Sequence, residues 1–139
     1  MMLQPEAATE RLRDAGLRLT PQRRVVIDVL AGDTTPPLAE DVARRVAERM
    51  PGVSLSTVYK TLHEFASLGL VRELGMAGAM RFDADSSMHA HLVCDDCNTV
   101  IDVPLTLEAQ RAIGESAQGA RLDSVEVTLR GTCRGCGAS

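Results

Sequence analysis

The stretch His89-Ala90-His91-Leu92-Val93-Cys94-Asp95-Asp96-Cys97 is the most informative part of the chain, because two kinds of metal ligand meet within this one short segment. Cys94 and Cys97 are separated by two residues, and Cys133 and Cys136 repeat that spacing near the end of the chain. Two such pairs that use every cysteine are typical of a tetrahedral zinc site with four thiolates. Disulfides or unligated thiols are the alternative, and the lack of any sign of secretion disfavours disulfides. The sequence therefore predicts one structural zinc ion.

The two histidines need a separate explanation, since four thiolates already complete the coordination of a zinc ion. If their segment is a β-strand, residues two apart face the same side, so His89 and His91 can bind one ion together. Carboxylates stand nearby in the sequence at Asp83, Asp85 and Asp102. Nitrogen and oxygen donors suit Fe(II), Mn(II) or Zn(II), in a site more exchangeable than a thiolate cluster. The alternative, two histidines on a solvated strand without a ligand, is disfavoured by the nearby carboxylates and cysteines.

Length and composition limit the chain to one domain or two very small ones. The 139 residues include no Trp, 1 Tyr and 2 Phe, so the core must be aliphatic and modest, and a zinc ion and a second copy of the chain would support it. Residues 1–16 have no apolar core or basic leader, and no long uncharged apolar run occurs anywhere. We therefore expect a cytoplasmic protein without a signal peptide or a membrane span.

The charge is distributed unevenly along the chain. The net charge is −4, but residues 1–82 carry 11 basic and 10 acidic residues, whereas residues 83–139 carry 4 basic and 9 acidic ones. This division is consistent with a first half that faces DNA and a second half that binds cations, although an acidic surface often serves only solubility.

Four helices followed by a hairpin are predicted in the first half. The helices are residues 6–15, a segment that starts at Thr20-Pro21 and ends before Gly32, residues 39–50, and a segment that starts at Ser54. A hydroxyl cap followed by proline is a good helix start. Residues 70–74 and 80–82 are predicted strands around a turn at residues 75–78. Helices followed by a hairpin indicate a winged helix-turn-helix.

The fourth helix has one apolar face and one polar face, at about 100° of rotation per residue. The apolar face comprises Val58, Leu62 and Phe65. The polar face comprises Ser56, Tyr59, Lys60 and His63. Hydroxyls, a phenol and a cation can reach phosphates and base edges in a major groove, and the helix N-terminus offers backbone donors to a phosphate. The polar face therefore predicts a DNA-recognition helix, in which His63 is a DNA-side or solvent-facing residue.

The second half is predicted to contain three strands and one helix, at residues 89–93, 100–103, 122–130 and 106–117. So few elements cannot cover their own core, and pairing with a second copy is the natural remedy. The prediction is an α+β chain with a winged-helix DNA-binding domain over residues 1–82. A small α/β dimerisation domain, which holds the zinc site of four cysteines, follows over residues 83–139.

Four motifs together resemble the ferric uptake regulator (Fur) family in order and spacing. They are Gly16-Leu17-Arg18-Leu19-Thr20-Pro21-Gln22-Arg23, Ser56-Thr57-Val58-Tyr59-Lys60-Thr61-Leu62, the segment His89 to Cys97, and Cys133-Arg134-Gly135-Cys136. The resemblance implies a homodimeric, metal-activated transcriptional repressor that binds a palindromic operator in double-stranded DNA. It also implies that Arg18 enters an A·T-rich minor groove. The residues implied to contact phosphates and bases are Arg23, Ser56, Thr57, Tyr59 and Lys60.

The resemblance also implies a regulatory metal site between the two domains, which would hold the winged helices at the separation that fits two half-sites. The positions that match its ligands are Asp83, His89, His91 and Asp102. Iron and peroxide sensors of the family carry a further histidine in the loop before the third helix, where this chain has Thr35-Pro36-Pro37. Four ligands, or four completed by water, Asp33 or Glu40, remain as alternatives.

A second departure from the family concerns a further site of its iron regulators, whose matching positions here are Met88, Ala90 and Val125. These side chains cannot bind a hard cation, so one structural zinc and one regulatory site per chain are expected. Asp102, rather than a longer acid, resembles the peroxide-sensing branch, but the loop histidine that this branch oxidises is missing. We favour a manganese- or iron-responsive repressor of metal-homeostasis or oxidative-stress genes, with peroxide and zinc sensing as variants.

Two functions from other classes compete with that of a repressor. A metallohydrolase could use Asp83, His89, His91 and Asp102 as ligands, but the sequence shows no convincing general base or substrate pocket. A zinc-ribbon adaptor that binds only protein would leave the polar face of the fourth helix without a purpose. We therefore expect a DNA-binding regulator and not an enzyme.

Overall fold

The computed structural model describes residues 3–33 and 35–137. The chain forms two compact units, Met1–Ser86 and Ser87–Ser139. Both contain helix and sheet, so the α+β class is as predicted, with a winged helix-turn-helix in the first unit and a small α/β arrangement in the second. Among the described residues, no helix combines the length and the apolar character needed to cross a membrane.

The first unit contains four helices and a two-stranded antiparallel sheet. In chain order these are α1 (Pro5–Asp14), α2 (Pro21–Ala31), α3 (Ala39–Arg49), α4 (Leu55–Ser67), β1 (Arg72–Met76) and β2 (Ala79–Asp83). The predicted caps are confirmed: Thr20 Oγ1 accepts the backbone N–H of Arg23 at 3.2 Å, and Ser54 Oγ accepts that of Thr57 at 3.2 Å. These two bonds satisfy backbone donors that the first turns of α2 and α4 would otherwise leave without a partner.

The core of the first unit is aliphatic, with Phe65 and Phe82 fully buried within it. Val58, Leu62 and Phe65 of α4 are each at most 1% exposed, so the predicted apolar face is confirmed. Burial of this face fixes the rotation of α4 about its own axis, because its apolar residues must point into the core.

The first strand of the hairpin begins two residues later than predicted, at Arg72, the second strand is longer than predicted, and the turn is shorter. β1 continues through Gly75 and Met76, and the turn consists of Ala77 and Gly78, with φ of 53° and 77°. A two-residue turn with positive φ at both positions matches the twist of the strands that it joins. The predicted turn at residues 75–78 is therefore wrong by two residues, because Met76 is buried and belongs to the strand.

The loop before α3 is hydrogen-bonded to β2. The carbonyl of Pro37 accepts the backbone N–H of Phe82 at 2.9 Å, and the carbonyl of Pro36 accepts Nη1 of Arg81 at 3.0 Å. Both prolines are buried. The loop in which the family resemblance expects a histidine is thus packed against the hairpin of its own unit.

The second unit is built on a three-stranded sheet of order β4-β3-β5. Its elements are β3 (His89–Cys94), β4 (Val100–Pro104), α5 (Leu107–Ser116), β5 (Val127–Gly131) and α6 (Arg134–Gly137). β3 is the central strand and pairs antiparallel with β4 and parallel with β5. The predicted strand 122–130 is wrong at its start: β5 begins at Val127, opposite Ala90, and ends at Gly131, opposite Cys94.

Helix α5 starts as predicted but buries none of its residues within the single chain. Thr106 caps it by accepting the backbone N–H of Ala109 at 3.1 Å. Leu107, in its first turn, is 72% exposed, and Leu129 on β5 is 43% exposed. Apolar side chains left this open are the kind that an interface with another chain covers.

Candidate metal centres and nucleic-acid interface

The four cysteines meet in the second unit, in a group that we call the cysteine cluster. Their Sγ atoms all lie within 4.8 Å of one another, and none of the four forms a disulfide. Cys94 ends β3, Cys97 follows in the turn, and the parallel pairing of β5 with β3 carries the chain back to Cys133 and Cys136 beside them. The two widely separated pairs thus converge as the sequence predicts.

Backbone donors favour the thiolate form of Cys94. Its Sγ accepts the N–H of Cys133 at 3.3 Å and that of Cys97 at 3.5 Å. These bonds lower the pKa of the Cys94 thiol from 9.0 to about 6, in that order of importance. The opposite holds for Cys136, where hydrogen bonds with the thiols of Cys133, Cys97 and Cys94 raise the pKa to about 12. Four thiolates this close together repel one another, so a bound cation would favour the fully deprotonated form.

A zinc ion fits the cysteine cluster by geometry and by charge. With Zn–S bonds of about 2.3 Å, a tetrahedral site has sulfur–sulfur edges of about 3.8 Å. The Sγ atoms of Cys97 and Cys133 are 3.7 Å apart. A coordinated cation also deprotonates thiols outright, which overcomes the raised pKa of Cys136. The donor set is therefore one that a tetrahedral divalent zinc ion would satisfy.

Two imidazoles and a carboxylate form a second group on the sheet, which we call the histidine cluster: His89, His91 and Asp102. The Nε2 atoms of the two histidines are 3.1 Å apart, because residues two apart on β3 face the same side, as predicted. Asp102 stands directly opposite His91 on β4, and its Oδ1 lies 3.3 Å from Nε2 of His91. Both imidazoles are buried, at 4% and 2% exposure.

The hydrogen bonding of His89 suits a metal ligand. Its Nδ1 lies 2.7 Å from the carbonyl oxygen of Ser87, a distance at which Nδ1–H donates to the carbonyl. That bond leaves the lone pair on Nε2, the atom that points at His91. Histidines that ligate metals almost always have such a partner on the other ring nitrogen. The nitrogen and carboxylate donors of this cluster fit Mn(II), Fe(II) or Zn(II).

The predicted ligand Asp83 belongs to the first unit, where it ends β2. It is 4% exposed, and its Oδ1 accepts the backbone N–H of Asp85 at 3.0 Å. Its Oδ2 lies 4.0 Å from Nη2 of Arg72. No local pattern in the sequence indicates this contact with Arg72, because it depends on the register of the hairpin. The metal-binding role of Asp83 stays a prediction.

The residues that sequence reasoning named as substitutes for the missing histidine are engaged within the first unit. Asp33 forms an ion pair with Arg45 of α3. Glu40 accepts a hydrogen bond from the hydroxyl of Tyr59 at 3.3 Å. Each of these contacts uses one oxygen of the carboxylate, and a ligand role for either residue stays a prediction.

The predicted DNA face is centred on α4. Ser56 and Lys60 are exposed, and Thr57 is half-buried in the first turn of the helix. Tyr59 is also half-buried: its ring packs against the core and stacks on His63, with centroids 6.0 Å apart. His63 is exposed and contacts Glu73 on β1 through Nδ1. The sequence did not predict this contact, and His63 lies outside both the cysteine cluster and the histidine cluster.

Arg18 and Arg23 are the two arginines predicted to contact DNA, and the side chain of Arg23 connects both of them to α4. Arg23 forms a two-point ion pair with Glu64 of α4, at 2.8 Å and 3.2 Å. Its Nη1 also donates to the backbone carbonyl of Arg18 at 2.6 Å. Arg23 therefore fixes the loop that carries Arg18 against α4, while the side chain of Arg18 itself is exposed. The DNA contacts of both arginines stay predictions.

Known proteins resemble this chain across both units. The model of the ferric uptake regulator family matches residues 14–130. The peroxide operon regulator of Bacillus subtilis (strain 168) is 30% identical over 131 residues, which cover 93% of this chain and 90% of that protein.

Solved structures agree with these sequence matches. The ferric uptake regulator from Pseudomonas aeruginosa with manganese is 30% identical and superposes with a TM-score of 0.77, covering 91% of this chain and 98% of that one. The Helicobacter pylori ferric uptake regulator Fur superposes with a TM-score of 0.83, covering 100% of this chain and 98% of that one. At 23% identity, that second likeness shows the fold alone.

Proposed function

The chain belongs to the ferric uptake regulator family, and we propose that it is a homodimeric repressor whose affinity for a palindromic operator rises when Mn(II) or Fe(II) binds. It is a metal-responsive transcriptional regulator and not an enzyme, so the metallohydrolase and adaptor interpretations are set aside. The observation that carries the proposal is the convergence of His89 Nε2, His91 Nε2 and Asp102 Oδ1 on one face of the sheet.

The two clusters would hold different metals. The cysteine cluster would hold a structural zinc ion, because its four Sγ atoms converge at the spacing of a tetrahedral site and a cation would balance the charge of four thiolates. The histidine cluster, together with Asp83 by the family resemblance, would hold the regulatory ion. Nitrogen and oxygen donors favour Mn(II) or Fe(II) in a reducing cytoplasm, where we place the protein, and a relative solved with manganese supports that choice.

The regulatory effect would come from linking the two units. Asp83 precedes the boundary between the units in the chain, whereas His89, His91 and Asp102 follow it. An ion bound by all four would restrict the units relative to each other, and a fixed arrangement favours one spacing of operator half-sites. Because Pro36 and Pro37 replace the loop histidine and are packed in place, we propose that water completes the coordination.

Dimerisation would use the second unit. Helix α5 buries no residue within one chain, and Leu107 and Leu129 are exposed. A second copy placed over these side chains would remove their apolar surface from water. Two copies would present two α4 helices to a palindromic site, which is what the family resemblance implies.

The test is operator binding by zinc-loaded protein, with the operator selected in vitro from a random duplex library. Mn(II), Fe(II) and Zn(II) are each titrated anaerobically, alongside the double variant His89→Ala, His91→Ala. We expect the effector metal to raise affinity at least about tenfold, equivalent to about 1.4 kcal/mol of coupling, and the double variant not to respond. Equal affinity with and without metal would rule out metal activation.

The DNA face is tested separately by Lys60→Ala. Lys60 is exposed on α4, so its loss should weaken binding to all sequences and reduce the salt slope of log K by about 0.9, without releasing zinc. Arg49→Ala is the matched control, since Arg49 is an exposed cation on α3 that pairs with Asp28. Unchanged affinity for Lys60→Ala would count against α4 as the recognition helix.

Peroxide sensing is the second candidate, favoured by the 30% identity to a peroxide operon regulator and by Asp102 in place of a longer acid. Hydrogen peroxide should then release the Fe(II) form from its operator and leave the Mn(II) form bound, because only iron reacts with peroxide at a useful rate. Equal retention of both forms would exclude this variant. Zinc-responsive repression is decided by the Zn(II) arm of the titration above.

A further inference from the structure

Arg72 and Asp83 face each other across the open end of the hairpin. They are register partners, Arg72 as the first residue of β1 and Asp83 as the last of β2. Directly opposite residues on antiparallel strands bring their side chains close enough to interact. Nη2 of Arg72 lies 4.0 Å from Oδ2 of Asp83, and Asp85 donates its N–H to Oδ1 at 3.0 Å. Both oxygens of the carboxylate therefore have a donor or a cation from the first unit.

The two partners differ in burial. The side chain of Asp83 is 3% exposed, whereas that of Arg72 is 31% exposed. A carboxylate buried to this extent is unfavourable as an anion unless a cation or several donors accompany it. Arg72 supplies that charge from a position that keeps access to water. The guanidinium can consequently withdraw into solvent when another cation takes its place.

We propose that Arg72 competes with the regulatory metal for Asp83, and so sets the metal concentration at which the regulator responds. This inference rests on the proposed function, in which Asp83 is a metal ligand. A divalent ion and a guanidinium repel each other at such short range, so they cannot share Oδ2 without cost. Metal binding therefore transfers Oδ2 from Arg72 to the ion. Arg72 is a positioning residue, since it would act on the metal site through Asp83.

The test measures Mn(II) affinity directly, by the decrease in the electron paramagnetic resonance signal of free aqueous Mn(II), on the full zinc-loaded chain. Two neutral variants, Arg72→Gln and Arg72→Met, remove the competing charge with different side-chain shapes. Both should bind Mn(II) about tenfold more tightly than wild type, whereas Arg72→Lys, which keeps the charge, should stay close to wild type. Unchanged or weaker binding in the neutral variants that fold overturns the proposal.

A matched control and a second background separate direct competition from a general charge effect. Arg24→Gln removes a cation of the same unit that is 54% exposed and pairs with Asp28, and it should leave Mn(II) affinity unchanged. In an Asp83→Asn background, Arg72→Gln should no longer tighten binding, because the contested carboxylate is gone. If Arg72→Gln still raised Mn(II) affinity in the Asp83→Asn background, Arg72 would act through long-range electrostatic repulsion, and direct competition would be overturned.

The histidines distinguish failure of this inference from failure of the proposed function. If the wild type binds no Mn(II), or if the double variant His89→Ala, His91→Ala binds it equally well, the proposed regulatory site is wrong. The proposed role of Arg72 is then wrong as well. If Mn(II) binding depends on the histidines but neither neutral Arg72 variant changes it, only the role of Arg72 is overturned.

Discussion

The cysteine cluster and the histidine cluster lie in the same small unit, yet they are built from different donors. The cysteine cluster gathers four thiols, and hydrogen bonds with the other three raise the pKa of Cys136 to about 12. The histidine cluster combines two imidazoles with one carboxylate. Its members contact one another, and His89 has a backbone carbonyl as a further partner.

This difference in donors indicates which cluster depends more strongly on its ion. Without a cation, the cysteine cluster must keep protons on some thiols or separate them, so zinc binding is coupled to the folding of the turns that carry them. The histidine cluster contains a single carboxylate, so it has no comparable accumulation of like charge for an ion to balance. The cysteine cluster is therefore suited to a permanent structural ion, and the histidine cluster to an exchangeable regulatory ion.

The largest effect should follow removal of a thiol. Cys133→Ala leaves three ligands and breaks the link between β5 and the turn after β3, so we expect zinc content to fall from one ion per chain to nearly none. Structural zinc contributes about 10 kcal/mol or more of apparent binding free energy in small zinc domains, so the second unit should also lose its thermal transition. Metal analysis and circular dichroism measure the two effects.

Asp96→Asn is the control for this variant, because Asp96 is an exposed residue of the same turn and is not a predicted ligand. It should retain its zinc and its melting temperature. If Cys133→Ala kept its zinc and its melting temperature, the cysteine cluster would not be the structural zinc site, and the proposed difference between the two clusters would be wrong.

A smaller effect is expected from His91→Ala, which removes the residue that contacts both other members of the histidine cluster. Mn(II) affinity should fall about a hundredfold, equivalent to about 2.7 kcal/mol, because one of few nitrogen ligands is lost. Zinc content should remain at one per chain. Calorimetric Mn(II) titration and metal analysis together check this separation, with His63→Ala as the control.

Loss of zinc along with manganese in His91→Ala would contradict the independence of the two clusters. It would mean that β3, which carries both His91 and Cys94, transmits damage from one cluster to the other. Equal Mn(II) binding in His91→Ala and wild type would instead remove the histidine cluster from the regulatory site.

Local patterns in the sequence predicted the parts of each cluster that lie within one element. Because side chains alternate between the two faces of a strand, His89 and His91 were predicted to share one face, and their Nε2 atoms are 3.1 Å apart. Hydroxyl caps at Thr20 and Ser54 predicted where α2 and α4 begin. These features depend only on neighbours in the chain, which the sequence displays directly.

Features that depend on strand register could not be predicted in the same way. That β5 runs parallel to β3, and so brings Cys133 beside Cys94, follows from tertiary packing and not from any local pattern. The position of Asp102 opposite His91 needs the register of β3 with β4. The contact of Arg72 with Asp83 likewise follows from the two-residue turn of the hairpin.

The smallest effect, and the most specific contrast between the two clusters, should come from Asp102→Asn. The change keeps the shape of the side chain but removes the one negative charge that the histidine cluster contributes, so Mn(II) affinity should fall about tenfold while both imidazoles still bind. Asp123→Asn is the control, because Asp123 is an exposed acid of the same unit that pairs with Arg121. If Mn(II) affinity falls as far as in His91→Ala, Asp102 acts mainly by orienting His91. If Mn(II) affinity does not fall, Asp102 is not a ligand, and the site consists of the two histidines and Asp83. Since neither carboxylate belongs to the cysteine cluster, zinc content should not change in either variant.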